Sequence, residues 1–453
     1  MISLKRQVAE GVFLFSSGSL IVTFLHFLSS VVLIRSLGLF EYGLLVLALS
    51  FYAILVSFLS MGIGGVVLSD VSNAVGEKDY PKAKTLLKSY MKFELVMGII
   101  LLAVTVVISF PLKGIYNEMI SNLLLIIALY LFTSGLQAAV SNVFYSLSRF
   151  RIYNALIVIE ALSRFSLVLV FIAMLGEGIL VAMIIYVAAQ IISILVTLPS
   201  LLSIRNQLRK YPSSKEPLFR NMIKSHGKWV IFSLPIKRIG GQVHYWITEY
   251  FLGVNAVAIL GVAMRGTDIL KVFLQSFESV LMPITAGIVK SWERTKYLIS
   301  KSIKYNLWGS VILAVPAIIF AQLLIELVFS GKYLDATPIF TVLLLTMIPF
   351  SLVVVLTPLF YALKIQKHLF YADFVVDILI IVLDVTFILF FGLVGIGISM
   401  ILTIFMSFVI KYKLIKKSMP DFEIKMRNFF IIDDFDKRQF RMLLNKIKTK
   451  LHL

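Results

Sequence analysis

The sequence predicts an all-α polytopic membrane protein of about twelve transmembrane helices, arranged as two parallel six-helix repeats around a central cavity. Three observations predict it. The 453 residues are 59% hydrophobic and 15% charged, with a mean hydropathy of +0.96, whereas soluble domains stand near half apolar and about a quarter charged. Apolar runs of about 20 residues recur along the chain, each long enough to cross a hydrocarbon core of about 30 Å; an outer-membrane barrel would show shorter, alternating segments. The connections between runs alternate between strongly basic and nearly uncharged, as in a chain that threads back and forth across a bilayer.

Taken in order, the spans fall at 12–34, 44–68, 93–112, 120–147, 154–175, 178–203, 229–251, 256–283, 305–330, 337–363, 370–391 and 393–412. The basic connections hold Lys5 and Arg6, then Lys78, Lys82, Lys84, Lys88 and Lys92, then Arg149 and Arg151. They continue with the clusters from Arg205 to Lys228 and from Lys290 to Lys304, with Lys364 and Lys367, and with the tail from Lys411 onward. The opposite set holds Arg35, Lys113 and Lys332. The positive-inside rule therefore puts both termini in the cytoplasm of a multi-pass protein of the cytoplasmic (inner) membrane. The net charge of +19 reflects this topology and attraction to membrane lipids of an anionic leaflet, and calls for no nucleic acid. MISLKRQVAEG leads into an apolar stretch too long for a signal-peptide core, so no cleaved leader is expected. With no cysteine, disulfides, thiol catalysis and cysteine metal sites are excluded.

The chain repeats itself. FYSLSRFR at 144–151 returns as FYALKIQK at 360–367, each after its half's fourth span. Leu37-Gly38 returns as Leu252-Gly253 after each half's first span, and Gly176 as Gly392 after each fifth. A near-constant offset at three landmarks indicates duplication of a six-span unit. Six is even, so the halves run parallel, related by an axis along the membrane normal. The expected domains are an N-terminal bundle at 1–210, a C-terminal bundle at 211–416 and a basic tail at 417–453. Residues 79–92 and 437–453 each place apolar side chains on one stripe among lysines, as helices lying on a membrane surface do.

Spans seven and eight carry charge where lipid would forbid it. Counted from an interface near Trp229, Lys237 and Arg238 lie roughly 13 Å deep. They share an arc of about 160° with Gly241, Gln242, His244, Tyr245, Thr248 and Glu249. In span eight Asp268, Lys271, Gln275 and Glu278 follow i, i+3, i+7, i+10, with Arg265 one turn before Asp268. Charges in a span face a bundle interior or a water-filled cavity. Internal pairing of Asp268 with Lys271, or of Glu249 or Glu278 with Arg238, removes part of this charge, but the cations outnumber the acids. A cationic cavity suits an anionic ligand, since the guanidinium fork matches phosphate oxygens. The expected binding set is Lys237, Arg238, Arg265, Lys271, Gln242, His244, Tyr245 and Gln275.

Span eleven places Asp373, Asp377 and Asp384 on one narrow stripe, where carboxylates favour a bound proton or cation; H+ or Na+ coupling is the expectation, with structural pairing the alternative. Glu160 and Arg164 are i, i+4 and expected to pair. The five histidines show no metal-ligand spacing, no phosphate loop is present, and no loop exceeds about 25 residues. Neither a metal, a cofactor nor an enzymatic activity is therefore expected, and nothing calls for more than a monomer.

The stretch from Ser29 to Leu87, with Leu37-Gly38, then Tyr42-Gly43, then the Gly-x-x-Asp-basic loop from Gly76 to Lys84, resembles the polysaccharide-export proteins. These belong to the multidrug/oligosaccharidyl-lipid/polysaccharide exporter superfamily, and the resemblance extends over about 1–415. It implies a flippase that moves a polyprenyl-diphosphate-linked glycan by alternating access, with the head group in a central cationic cavity and the lipid tail in the bilayer. Lys237 and Arg238 would hold the diphosphate, Arg265 and Lys271 would assist, and Gln242, His244, Tyr245 and Gln275 would bond sugar hydroxyls. The alternatives are a cation-coupled drug antiporter of the same superfamily and a peptidoglycan-precursor flippase. A membrane glycosyltransferase would need a large outer loop with paired acids.

Overall fold

The computed structural model describes residues 4–115, 118–212, 219, 235–288, 291–420 and 422–423, and each described secondary-structure element is a helix. The order is α1 (Leu4–Ser36), α2 (Leu39–Ser60), α3 (Ile63–Gly76), α4 (Tyr80–Ile115), α5 (Glu118–Ser146), α6 (Phe150–Leu167) with a π-helical extension Val168–Met174, and α7 (Ile179–Arg209). Then come α8 (235–240), α9 (Val243–Leu252), α10 (Val254–Ile288), α11 (Trp292–Ile319), α12 (Ala321–Leu324) with a π turn Ile325–Phe329, and a 3₁₀ stretch Gly331–Ala336. The chain ends in α13 (Thr337–Leu345), α14 (Met347–Ala362), α15 (Gln366–Phe391) and α16 (Leu393–Ser418).

Among the described residues, nine helices are long and apolar enough to cross a membrane, and ten if α13 and the 3₁₀ stretch before it, bent by 40° from α14, form one span with it. These ten correspond to all the predicted spans but the seventh and eighth. The eighth is α10, a single 35-residue helix that carries Arg265, Asp268, Lys271 and Glu278. The seventh is divided: α8 ends at 240, residues 241–242 form a turn, and α9 restarts at Val243. Its first residues, the 437–453 amphipathic segment and most of the basic cluster before Lys228 lie outside the described residues.

The packing inverts that of a soluble protein. Val107, Phe110, Met174, Ile312, Ile319, Leu389 and Phe390 are exposed, while Thr105, Ser193, Thr248, Thr267, Ser310 and Ser399 are buried. Lipid supplies no hydrogen bonds, so the polar groups must be satisfied inside. Four of these hydroxyls bond within their own helix, Thr248 donating to the His244 carbonyl and Thr267 to the Ala263 carbonyl, each one turn back, while Ser399 donates to Asp384 and Thr105 Oγ1 has no partner.

Helices α1 to α7 pack largely among themselves, as do α9 to α16, and the two sets meet chiefly along α2 and α10. Glycine makes that contact close. A Cβ on Gly43 would lie 2.2 Å from the Val254 carbonyl oxygen, and one on Gly261 would lie 2.8 Å from a Val46 methyl. Small residues let membrane helices approach to backbone distance, where dispersion and weak polar contacts hold them. At the same end Lys332 donates to the carbonyls of Arg35 (2.9 Å) and Leu37 (2.6 Å), which terminate α1, and a cation is favourable at a helix C-terminus. Tyr42 meets Tyr333, and Phe27 meets Phe329, edge to face. The halves are therefore sealed at the Lys332 end.

Candidate functional site

Below this seal the helices enclose a cavity of about 180 Å³. Ser30 and Leu33 of α1, Tyr42, Leu45, Val46, Leu49, Ser50 and Ala53 of α2, and Tyr186 of α7 form one wall. Gln242, Tyr245 of α9, and Gly261, Arg265 and Asp268 of α10 form the other. Arg265 and Asp268 are exposed although they sit well inside a 35-residue helix, because the surface they show is the cavity's. Gly261, one turn before Arg265, lets α10 close on α2, and this draws the guanidinium against the N-terminal wall. There it interacts with the Tyr42 hydroxyl and lies in the field of Tyr245, Tyr186 and Asp268. The cavity thus offers one cation, one acid, three phenols and one carboxamide.

Of the eight predicted binding residues, three line this cavity: Arg265, Gln242 and Tyr245. The other five lie elsewhere. Lys237 has 66% of its side chain exposed and stands 3.9 Å from Asp373, and Arg238 is exposed beside it; both face open space at the end opposite Lys332. Lys271 is buried and holds its ammonium 5.5 Å above the Phe350 ring, with Asp268 acting on it. Gln275 is exposed. His244 turns away into the C-terminal bundle, where its Nδ1 lies 2.5 Å from Asp384. The expected excess of positive charge is not concentrated in the cavity, since Arg265 faces Asp268, Lys271 lies over Phe350, and Lys237 and Arg238 are exposed outside it.

The acidic stripe of α15 packs along α8 and α9, and its three members have different fates. Asp373 takes Lys411 at 2.9 Å and Lys237 at 3.9 Å. Asp384 is fully buried and bonded by His244 and by the Ser399 hydroxyl. Asp377 sits against Gly240, where a Cβ would come 2.2 Å from its Oδ1, and its buried Oδ2 has no hydrogen-bond partner. Among the described residues no three acids or histidines converge as metal ligands do.

A second polar network lies behind the N-terminal wall. Arg164 and Glu160 pair as the spacing predicts, and Glu160 also meets His26 at 3.1 Å. Arg164 stacks on Tyr186, 4.3 Å from its centroid, so one tyrosine ring separates this ion pair from the cavity. Tyr42 and Tyr186, which the charge pattern of spans seven and eight does not reveal, complete the site. Tyr42 stands in the Tyr42-Gly43 pair, where the adjacent glycine marks the close approach.

Residues 8–289 match the family described as polysaccharide biosynthesis protein. An uncharacterized membrane protein of Methanocaldococcus jannaschii is 24% identical over 327 residues, 67% of this chain, and the chain spans 63% of that relative's length. An inward-facing multidrug resistance MATE family transporter of the MOP superfamily superposes with a TM-score of 0.76 at 13% identity, over 88% of this chain and 94% of that one. The lipid II flippase MurJ in an inward closed conformation superposes with a TM-score of 0.73 at 15% identity, over 96% and 93%. At these identities the likeness is one of fold.

Proposed function

The chain belongs to the polysaccharide biosynthesis protein family, and from that premise we propose that it is a flippase. It carries a polyprenyl-diphosphate-linked oligosaccharide from the cytoplasmic to the outer face of the membrane by alternating access. The observation that supports this most is the set of Arg265, Tyr42, Tyr186 and Tyr245 around a cavity between the two halves. A guanidinium binds phosphate oxygens in a fork, the phenols and Gln242 offer hydrogen bonds to sugar hydroxyls, and the apolar wall from Leu45 to Ala53 would lie beside the lipid.

In this reading the basic end of the bundle is cytoplasmic, and the seal at Lys332 closes the outer face. Lys237 and Arg238, exposed at the cytoplasmic mouth, attract the anionic head group, and Arg265 receives it. The conformation is inward-facing. Coupling to a proton or sodium ion falls to Asp377, because Asp373 is already paired with Lys411 and Asp384 is already bonded by His244 and Ser399. The same unpartnered acid supports a second reading, a cation-coupled drug antiporter.

The test is lipid co-purification. The protein and its Arg265→Ala variant are isolated in mild detergent, and the bound lipid is extracted and analysed by mass spectrometry. A polyprenyl-diphosphate glycan retained by the wild type and reduced at least tenfold in the variant is the expected result. Bulk phospholipid in both, together with proton- or sodium-driven drug uptake in vesicles, would replace this reading with the antiporter.

A further inference from the structure

One buried acid belongs neither to the cavity nor to the α15 stripe. Glu94 of α4 is 0% exposed, and both of its carboxyl oxygens lack a hydrogen-bond partner. Its backbone lies against Gly135 of α5, where a Cβ would come 3.1 Å from the Glu94 carbonyl. Gly135 is eleven residues from Ser146, where α5 ends, so Glu94 lies roughly 16 Å from that end, within the hydrocarbon depth.

Among the described residues the surroundings hold no cation for it. Leu59 of α2 covers Gly135. Tyr90, one turn earlier, is the ionisable group that acts on Glu94, and the Tyr90 hydroxyl accepts from Asn142 Nδ2 of α5 at 3.1 Å. Gly64 of α3 abuts both Tyr90 and Asn142. The charged residues of the helices packed on this spot point elsewhere: Lys88, Lys92 and Glu118 are exposed, and Asp70 of α3 is partly so. An ionised carboxylate without a partner at this depth is too costly to hold, and such a group neutralises instead. Neutral Glu94 is a carboxylic acid, and the Tyr90 hydroxyl one turn away, beside the partly exposed Gly64, is a nearby group that can take its proton and pass one on.

We propose that Glu94 is a proton-binding site of the N-terminal helices, loaded in the conformation described here and exchanging its proton by way of the Tyr90 hydroxyl. The site also touches the moving parts. It lies beside the break between α2 and α3, where Met61 (φ 45°) and Gly62 (φ 71°) are both left-handed. The far end of the same α2 carries Gly43 and Val46, the contacts that seal the halves. Loss of the proton places an ion next to that break, and it favours a rearrangement that hydrates the ion. The inference holds whatever the transported molecule is.

The experiment is pH-difference infrared spectroscopy of the full chain in lipid nanodiscs, which needs no substrate. The wild type is expected to show a carboxylic-acid C=O band that disappears as pH rises and shifts in D₂O. Glu94→Gln, isosteric with the protonated acid, is expected to lose that band, whereas Asp377→Asn keeps it. Glu94→Asp keeps an acid at the site and moves the band, and serves if the glutamine variant does not fold. Tyr90→Phe is expected to slow the hydrogen–deuterium shift of the band at least tenfold. A spectrum unchanged by Glu94→Gln, or a Glu94 band that does not respond to pH, overturns the proposal; an unchanged exchange rate in Tyr90→Phe overturns the route.

Discussion

At the scale of single residues, the protein places most of its in-span charge in mutual contacts and leaves little of it free. The His244–Asp384–Ser399 cluster is the clearest case. His244 is 4% exposed and Asp384 0%, and the two are bonded at 2.5 Å. Removing His244 strips the buried Asp384 carboxyl of one hydrogen bond, and leaving a buried polar group unsatisfied costs about 1–3 kcal/mol. His244→Ala should therefore destabilise the protein by about that amount, seen as a lower unfolding temperature in detergent. Adding Asp384→Asn should restore part of the loss; a double variant no more stable than His244→Ala would mean that the stranded Asp384 carboxyl is not what costs the stability. The same cluster shows what the sequence could reveal about the site. Arg265, Gln242 and Tyr245 were legible because α10 is continuous and α9 carries its polar face to the cavity. The depth of Lys237 and the direction of His244 were not, because a helical wheel assumes one unbroken helix. The turn at 241–242 resets the phase, so Lys237 moves to the open mouth and His244 turns to α15. Glu94 left a signal of its own, as the single charge between Phe93 and Phe110.

At the scale of elements, apolar runs with basic ends identified the spans because lipid imposes length and polarity on each helix separately. The breaks follow no such rule. The two left-handed residues at Met61–Gly62, the turn at 241–242 and the 40° bend before Met347 are set by neighbours that a linear pattern does not show. Glycines at contacts matter as much as breaks, and Gly43 is the sharpest of them. Its missing Cβ lets α2 lie directly on the Val254 carbonyl of α10. Gly43→Val puts a branched side chain where 2.2 Å is available, and the backbone it meets cannot rotate away. The expected outcome is an opening of the seal: a single cysteine introduced at Ser50, beside the cavity, should react faster with a membrane-impermeant thiol reagent added at the Lys332 face. Equal labelling with and without the Gly43→Val substitution would show that this contact does not hold the halves together.

At the scale of the whole molecule, the proposed alternating access requires the Lys332 end to open in every cycle. Its present closure rests on few contacts: the two bonds from Lys332 to the end of α1, the Tyr42–Tyr333 and Phe27–Phe329 pairs, and the glycine-mediated approach of α2 to α10. None buries a charge pair, so the seal is of the kind that a differential binding energy of a few kcal/mol can shift. The native chain has no cysteine, so an introduced pair reports without background. Val46 and Gly261 face each other across the halves, a Cβ on Gly261 lying 2.8 Å from one Val46 methyl and 3.5 Å from the other, a separation compatible with the Cβ···Cβ span of a disulfide, about 3.5–4.5 Å. The Val46→Cys/Gly261→Cys variant should crosslink under mild oxidation and hold the Lys332 end shut. Transport in vesicles should then fall to background and return on reduction, while the rate of each single variant, whatever its level, is the same before and after oxidation. Full transport by the oxidised pair, with the crosslink verified by mass spectrometry of the bridged peptides, would mean that the substrate leaves by a path that does not separate α2 from α10, and the alternating-access reading would fail with it.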